Sequence, residues 1–167
     1  MAATVQINEF NGAGETKTAN ISNSNYGSTD AANLTAASYP ITAGNNSYEK
    51  WQQLEVTAMG GSTSVDNLKV WYTGSLSGSD ALLTNARETS YGGAETYSTP
   101  TASASSVADQ TFPTAAPTGA NVGIGGSLSG QLTATGSSDY LVHQLQTNAG
   151  TTSGATITLN WRYTEVA

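Results

Sequence analysis

The single histidine, His143, limits nucleophilic chemistry in this chain, because any Ser-His-Asp arrangement must use it. Asp139 is its nearest acid in sequence, four residues earlier. On an extended strand the two side chains share a face but stand about 13 Å apart at the ~3.3 Å rise of a β-residue, too far to pair. The G-x-S-x-G elbow that presents a nucleophilic serine is also missing from the sequence. Paired carboxylates, the machinery of glycoside hydrolysis, have Glu49 and Glu55 as candidates. Six residues along one strand place them about 20 Å apart, outside that geometry. Calcium loops need alternating Asp/Asn ligands closed by a Glu, and Asp66-Asn67 supplies only a fragment of one. The run Gly123-Ile124-Gly125-Gly126-Ser127-Leu128-Ser129-Gly130 has the glycine density of a phosphate cradle. It lacks the Lys-Ser/Thr ending and leads into a strand rather than a helix, so it reads as a flexible entry to that strand. With no cysteine there is neither a disulfide nor a thiolate ligand or nucleophile. The residues therefore nominate no catalytic, cofactor-binding or metal-binding position, and they predict a protein that is not an enzyme.

Charge narrows the partners. Lys17, Lys50, Lys69, Arg87 and Arg162 are the only basic residues, scattered against 12 acidic ones, for a net charge of −7. Holding nucleic acid by its phosphates requires clustered Lys and Arg that release counterions, and no such cluster exists here. The N-terminal MAATVQINEF has neither a basic n-region nor an apolar h-region, and no apolar run approaches membrane-spanning length. The expectation is a chain made in a cytoplasm without a cleaved secretory signal, binding neither nucleic acid nor membrane.

The elements that would position any site read as strands. Thr, Ser, Gly and Asn make up nearly half of the 167 residues, a composition that disfavours helices. Period-two alternation is clearest over 154–164, where Ala155, Ile157, Leu159, Trp161 and Tyr163 alternate with polar residues. Leu128 to Ala134 and Tyr140 to Leu145 read as a hairpin about Thr135-Gly136, which with 155–164 predicts a C-terminal β-meander over about 127–164. Upstream, 48–59 and 67–73 read as strands joined at Gly60-Gly61-Ser62, with Leu68, Val70 and Tyr72 on one face. Val5 and Ile7 mark a strand near 3–9, and Tyr97 a weak one at 94–99. The prediction is a single all-β domain over 1–167, an antiparallel β-sandwich or jelly-roll-like domain with long loops and an extended N-terminal segment.

Two stretches, about 11–46 and 100–125, show little periodicity and exceed ordinary connection lengths, which marks them as functional loops. Tyr26, Leu34, Tyr39, Ile41, Val107 and Phe112 stand out in them as anchors. Together with Trp71, which falls opposite the apolar face of 67–73, Tyr26, Tyr39 and Phe112 are the predicted partner-contact residues. Deleting much of 11–46 is expected to leave a folded core while abolishing docking. Trp51, Trp71 and Trp161 offer a second possibility, an exposed aromatic platform for sugar rings. The lean apolar content favours stabilisation by self-association or docking.

Pro40-Ile41-Thr42-Ala43-Gly44, Asn46-Ser47-Tyr48-Glu49-Lys50-Trp51 and Asn67-Leu68-Lys69-Val70-Trp71 resemble segments of virion structural proteins of tailed bacteriophages. Asn121 to Gly130, Ser138-Asp139-Tyr140-Leu141-Val142 and Tyr163-Thr164-Glu165 are similar in the same way. The resemblance implies a β-rich head decoration, or cement, protein with no active site. It would bind the major capsid protein on the outer surface of the mature phage head and stabilise the capsid lattice. The likeness also implies a homo-oligomer such as a trimer, and a tail or fibre component as the next reading.

Overall fold

The computed structural model describes residues 1–85, 110–152 and 154–167. Among the described residues ten strands run in chain order: β1 (Thr4–Asn11), β2 (Thr16–Thr18), β3 (Lys50–Ala58), β4 (Ser64–Gly74), β5 (Ala81–Thr84), β6 (Gln110–Thr111), β7 (Gln131–Leu132), β8 (Gly136–Ser137), β9 (Leu141–Gln146) and β10 (Ile157–Val166). They form two sheets with every pairing antiparallel. The larger has the order β2-β1-β3-β9-β5-β6 with β8 beside β3, and the smaller has the order β10-β4-β7. The fold is an all-β, two-sheet sandwich.

Register explains where the core sits. Residues opposite one another across a ladder share a face. Val5 lies opposite Val56 and Ile7 opposite Leu54. Leu54 and Val56, joined by Leu82 and Leu141, pack against Val65, Leu68 and Val70 of β4. The same inner face continues into Glu9 opposite Gln52, and Lys50 opposite His143, which is itself opposite Thr84. One end of the larger sheet is thus apolar and the other polar, and both are buried.

On the smaller sheet, Ile157, Leu159 and Trp161 lie opposite Gly74, Tyr72 and Val70. The ladder then skips, with Arg162 opposite Lys69 and Thr164 opposite Asp66, so that Asn67 and Leu68 together face Tyr163. Asn67 takes φ 52°, the left-handed conformation of a β-bulge. The extra residue resets the alternation, and Val65 and Leu68 both turn inward. β4 runs Ser64–Gly74, a few residues longer than the 67–73 read from the sequence.

The predicted C-terminal meander does not form. β7 pairs with β4 and β8 with β3, so the chain crosses from one sheet to the other where a hairpin was expected. β9 joins the larger sheet and β10 the smaller. The cause lies at the glycines: Gly125 sits at φ 64°, and a Cβ there would stand 2.2 Å from the Gln131 carbonyl oxygen. The 123–130 run is a tight turn closed by Ile124 N to Ser127 O and Gly130 N to Ser127 O, with Ile124 fully buried. Gly123 and Ile124 anchor it in the core while 125, 126 and 129 are exposed, so it is a hydrogen-bonded turn rather than a flexible entry.

In the rest of 110–125 single positions reach the core, while 110–111, 114–116 and 118–119 are exposed. Phe112 and Val122 are buried, and the Asn121 side chain pairs with both backbone groups of Val70, accepting from its N–H and donating to its C=O, each at 2.8 Å. The predicted strand at 94–99 and the anchor Val107 lie outside the described residues.

Candidate functional site

The stretch between β2 and β3 lies across the polar end of the inner face, and a buried ion pair holds it there. Lys50 Nζ donates to Glu9 Oε1 at 2.9 Å and to the Ala31 carbonyl at 2.8 Å, and both charged side chains are essentially solvent-free. Ser24 Oγ and Gln52 Nε2 donate to Glu9 Oε2 at 2.6 and 3.3 Å. Asp30 receives Asn11 Nδ2 and Gly12 N, both at 2.7 Å. A charge this deep is tolerable only when paired and hydrogen-bonded, and much of that satisfaction comes from the 24–31 segment.

Beside this cluster, Tyr26 Oη and His143 Nδ1 are joined at 2.5 Å. Burial, reinforced by the nearby Lys50 ammonium, pushes His143 down to about 3, so the ring is neutral. The Tyr26 hydroxyl is raised well above its ordinary value by burial and then by Glu9 and Tyr72. No carboxylate is among the partners of His143, and its Nε2 has none among the described residues. Asp139 precedes β9, with its backbone N–H on the Gly123 carbonyl.

The paired-carboxylate candidates serve separate bonds. Glu49 accepts from Trp51 Nε1 at 3.0 Å, whereas Glu55 on the outer face accepts from Lys17 and Asn8 at 2.6 Å and Gln6 at 2.8 Å. The Lys17 hydrogen bond, then that of Asn8, holds the Glu55 carboxyl at about 2. No group of three or more His, Asp or Glu is arranged to hold a metal ion among the described residues.

The predicted partner-contact residues divide. Tyr39 is 45% exposed at the crest of the pinned stretch, and Trp71 is half-buried on the outer face of the smaller sheet, beneath the Arg162 guanidinium at 5.5 Å. Phe112 corrects the expectation. Phe112 is 1% exposed in the core and presents no partner surface, whereas Tyr26 is half-buried with its hydroxyl on His143 inside the fold. Nor do the tryptophans form a platform. Trp51 is buried on the outer face of the larger sheet, Trp71 lies outside the smaller one, and Trp161 lies inside it.

What the sequence reading missed is a groove. At the seam where β10 approaches β1, an open cleft of about 340 Å³ runs between the sheets. Ile7, Ile21, Ile157, Leu159 and Trp161 form its apolar walls, and Gln52, Tyr26 and residues 22–25 lie along its polar side. Alternation in 155–164 correctly put Ile157, Leu159 and Trp161 on one face. It could not show that this face is only half covered, because the cover comes from residues 130 positions away.

No protein family model, curated protein or solved structure matches this chain.

Proposed function

We propose that the chain is a non-enzymatic structural protein of a tailed-phage particle, a head decoration protein that binds the major capsid protein on the outer surface of the mature head. The observation that supports this reading most is how the interior polar groups are used. Glu9, Lys50, Asn11, Ser24 and Asp30 are engaged in holding a long, largely irregular stretch rigidly against the larger sheet. A stretch fixed in that way is a docking surface whose ordering entropy is already spent before it meets a partner. Tyr39 at its crest is the kind of exposed aromatic that anchors an interface. A protein that binds the expanded lattice in preference to the precursor shell stabilises it by mass action.

The test is sedimentation of the purified protein with expanded empty phage heads. Saturable co-sedimentation is expected, weakened about tenfold or more by Tyr39→Ala, the ordinary range for a central aromatic anchor. A protein that stays free of heads at every concentration overturns the reading, and self-association without head binding would turn it toward a tail or fibre component.

A further inference from the structure

We infer that the seam groove is a binding site for a neutral pyranose ring, a function separate from docking on a capsid. Three features of the groove carry the assignment. Its walls are apolar on both sides, from Ile7 and Ile21 on one and Ile157, Leu159 and Trp161 on the other. Gln52 lines it from β3, is 1% exposed, and spends its amide N–H on Glu9, which leaves the Oε1 acceptor buried without a partner. No charged side chain lines the cleft; its polar positions are amides and hydroxyls such as Asn23, Asn25 and Thr158.

These features select the ligand by elimination. A buried acceptor left unpaired is costly, so the occupant must bring a donor to Gln52, which a purely apolar molecule cannot. An anion would enter a cleft with no cation in its lining, one residue from the Glu9 carboxylate, on a protein of net charge −7. A cation would find Glu9 already neutralised by Lys50. An uncharged, flat molecule with a face of C–H groups and a rim of hydroxyls satisfies all three constraints. The electron-rich face of an indole attracts polarised C–H groups, and Trp161 stands half-buried in the wall, with its indole N–H unpartnered among the described residues. The cleft volume falls at the small end of the range of ligand pockets, the scale of one or two sugar rings.

Saturation-transfer NMR tests this with the intact protein and a panel of methyl pyranosides (glucose, galactose, mannose and N-acetylglucosamine types) and their disaccharides. Transfer is expected for at least one, strongest at the ring protons of one face, with a dissociation constant in the millimolar range. Asn23→Trp, an exposed position on the rim, should block it with the fold intact by circular dichroism. Gln52→Leu should weaken it about tenfold, the loss of one buried hydrogen bond. The assignment is overturned by an absence of transfer from the whole panel, or by transfer that Asn23→Trp leaves unchanged.

Discussion

Tyr26 and His143 show how much of this interior rests on groups whose protonation must not change. His143 is wholly buried and held near 3, whereas an unfolded histidine titrates at about 6.5. Between those values the unfolded chain binds a proton that the folded one refuses. The folded state therefore keeps its full stability above 6.5 and loses it steadily as pH falls toward 3. Glu55 behaves differently, since its contribution is complete above the ordinary carboxylate range and is lost only as pH falls toward about 2. The interval from pH 6.5 to 5 thus isolates the histidine. Urea unfolding there should show the parent losing up to about 1.4 kcal/mol per pH unit more than His143→Gln, the slope of one differential proton. Equal slopes for the two proteins would place the buried charge penalty elsewhere. The sequence showed a lone histidine on a strand, and the structure places it on β9. The sequence did not show the tyrosine 117 positions away that bonds it, because no local pattern encodes a contact of that span.

At the scale of elements, legibility followed the alternation. β1, β3 and β10 came through because each has one continuously apolar stretch on its inner face. β5, β2 and β6 did not, being too short for a period to register. The polar half of β3 was ambiguous for another reason: Lys50 and Gln52 occupy inward positions but look like solvent-facing residues until a distant segment covers them. Asn121 is the sharpest case of an element that pattern cannot reveal. One side chain takes the place of a neighbouring strand on β4, satisfying Val70 at both N–H and C=O. Buried backbone groups left without partners are costly, and Asn121→Ala strands both at once. We expect that substitution to cost about 2–4 kcal/mol, more than an ordinary hydrogen-bond deletion. Thermal and chemical unfolding would check it, and a loss below about 1 kcal/mol would mean that water or a shifted backbone replaces the amide.

For the molecule as a whole, the placement of charge in the 11–46 stretch decides whether that stretch is an appendage or part of the core. Read from composition it is a loop that deletion should spare. In the folded chain it supplies Ser24 to Glu9, the Ala31 carbonyl to Lys50, Asp30 to Asn11, and the buried Leu34. Breaking a buried ion pair's surroundings is far more damaging than never having built it, because the charges remain while their partners leave. Replacing residues 19–45 with a Gly/Ser linker of equal length should therefore abolish cooperative unfolding rather than merely docking. The loss combines about 3–5 kcal/mol for the uncovered pair with about 2–5 kcal/mol for the Leu34 site, comparable to the whole stability of a small domain. A linker variant that still melts cooperatively within about 5 °C of the parent would restore the appendage reading. The β10 edge is managed differently. β10 ends its sheet among the described residues, yet Arg162 lies across Trp71, and Asn160 turns its amide back onto the Thr158 carbonyl at 3.0 Å. Charge and self-bonding of this kind blunt a strand edge against unplanned pairing. Docking is therefore better probed by point changes on the crest, such as Tyr39→Ala, than by removing segments, since the segment that presents the crest also closes the core.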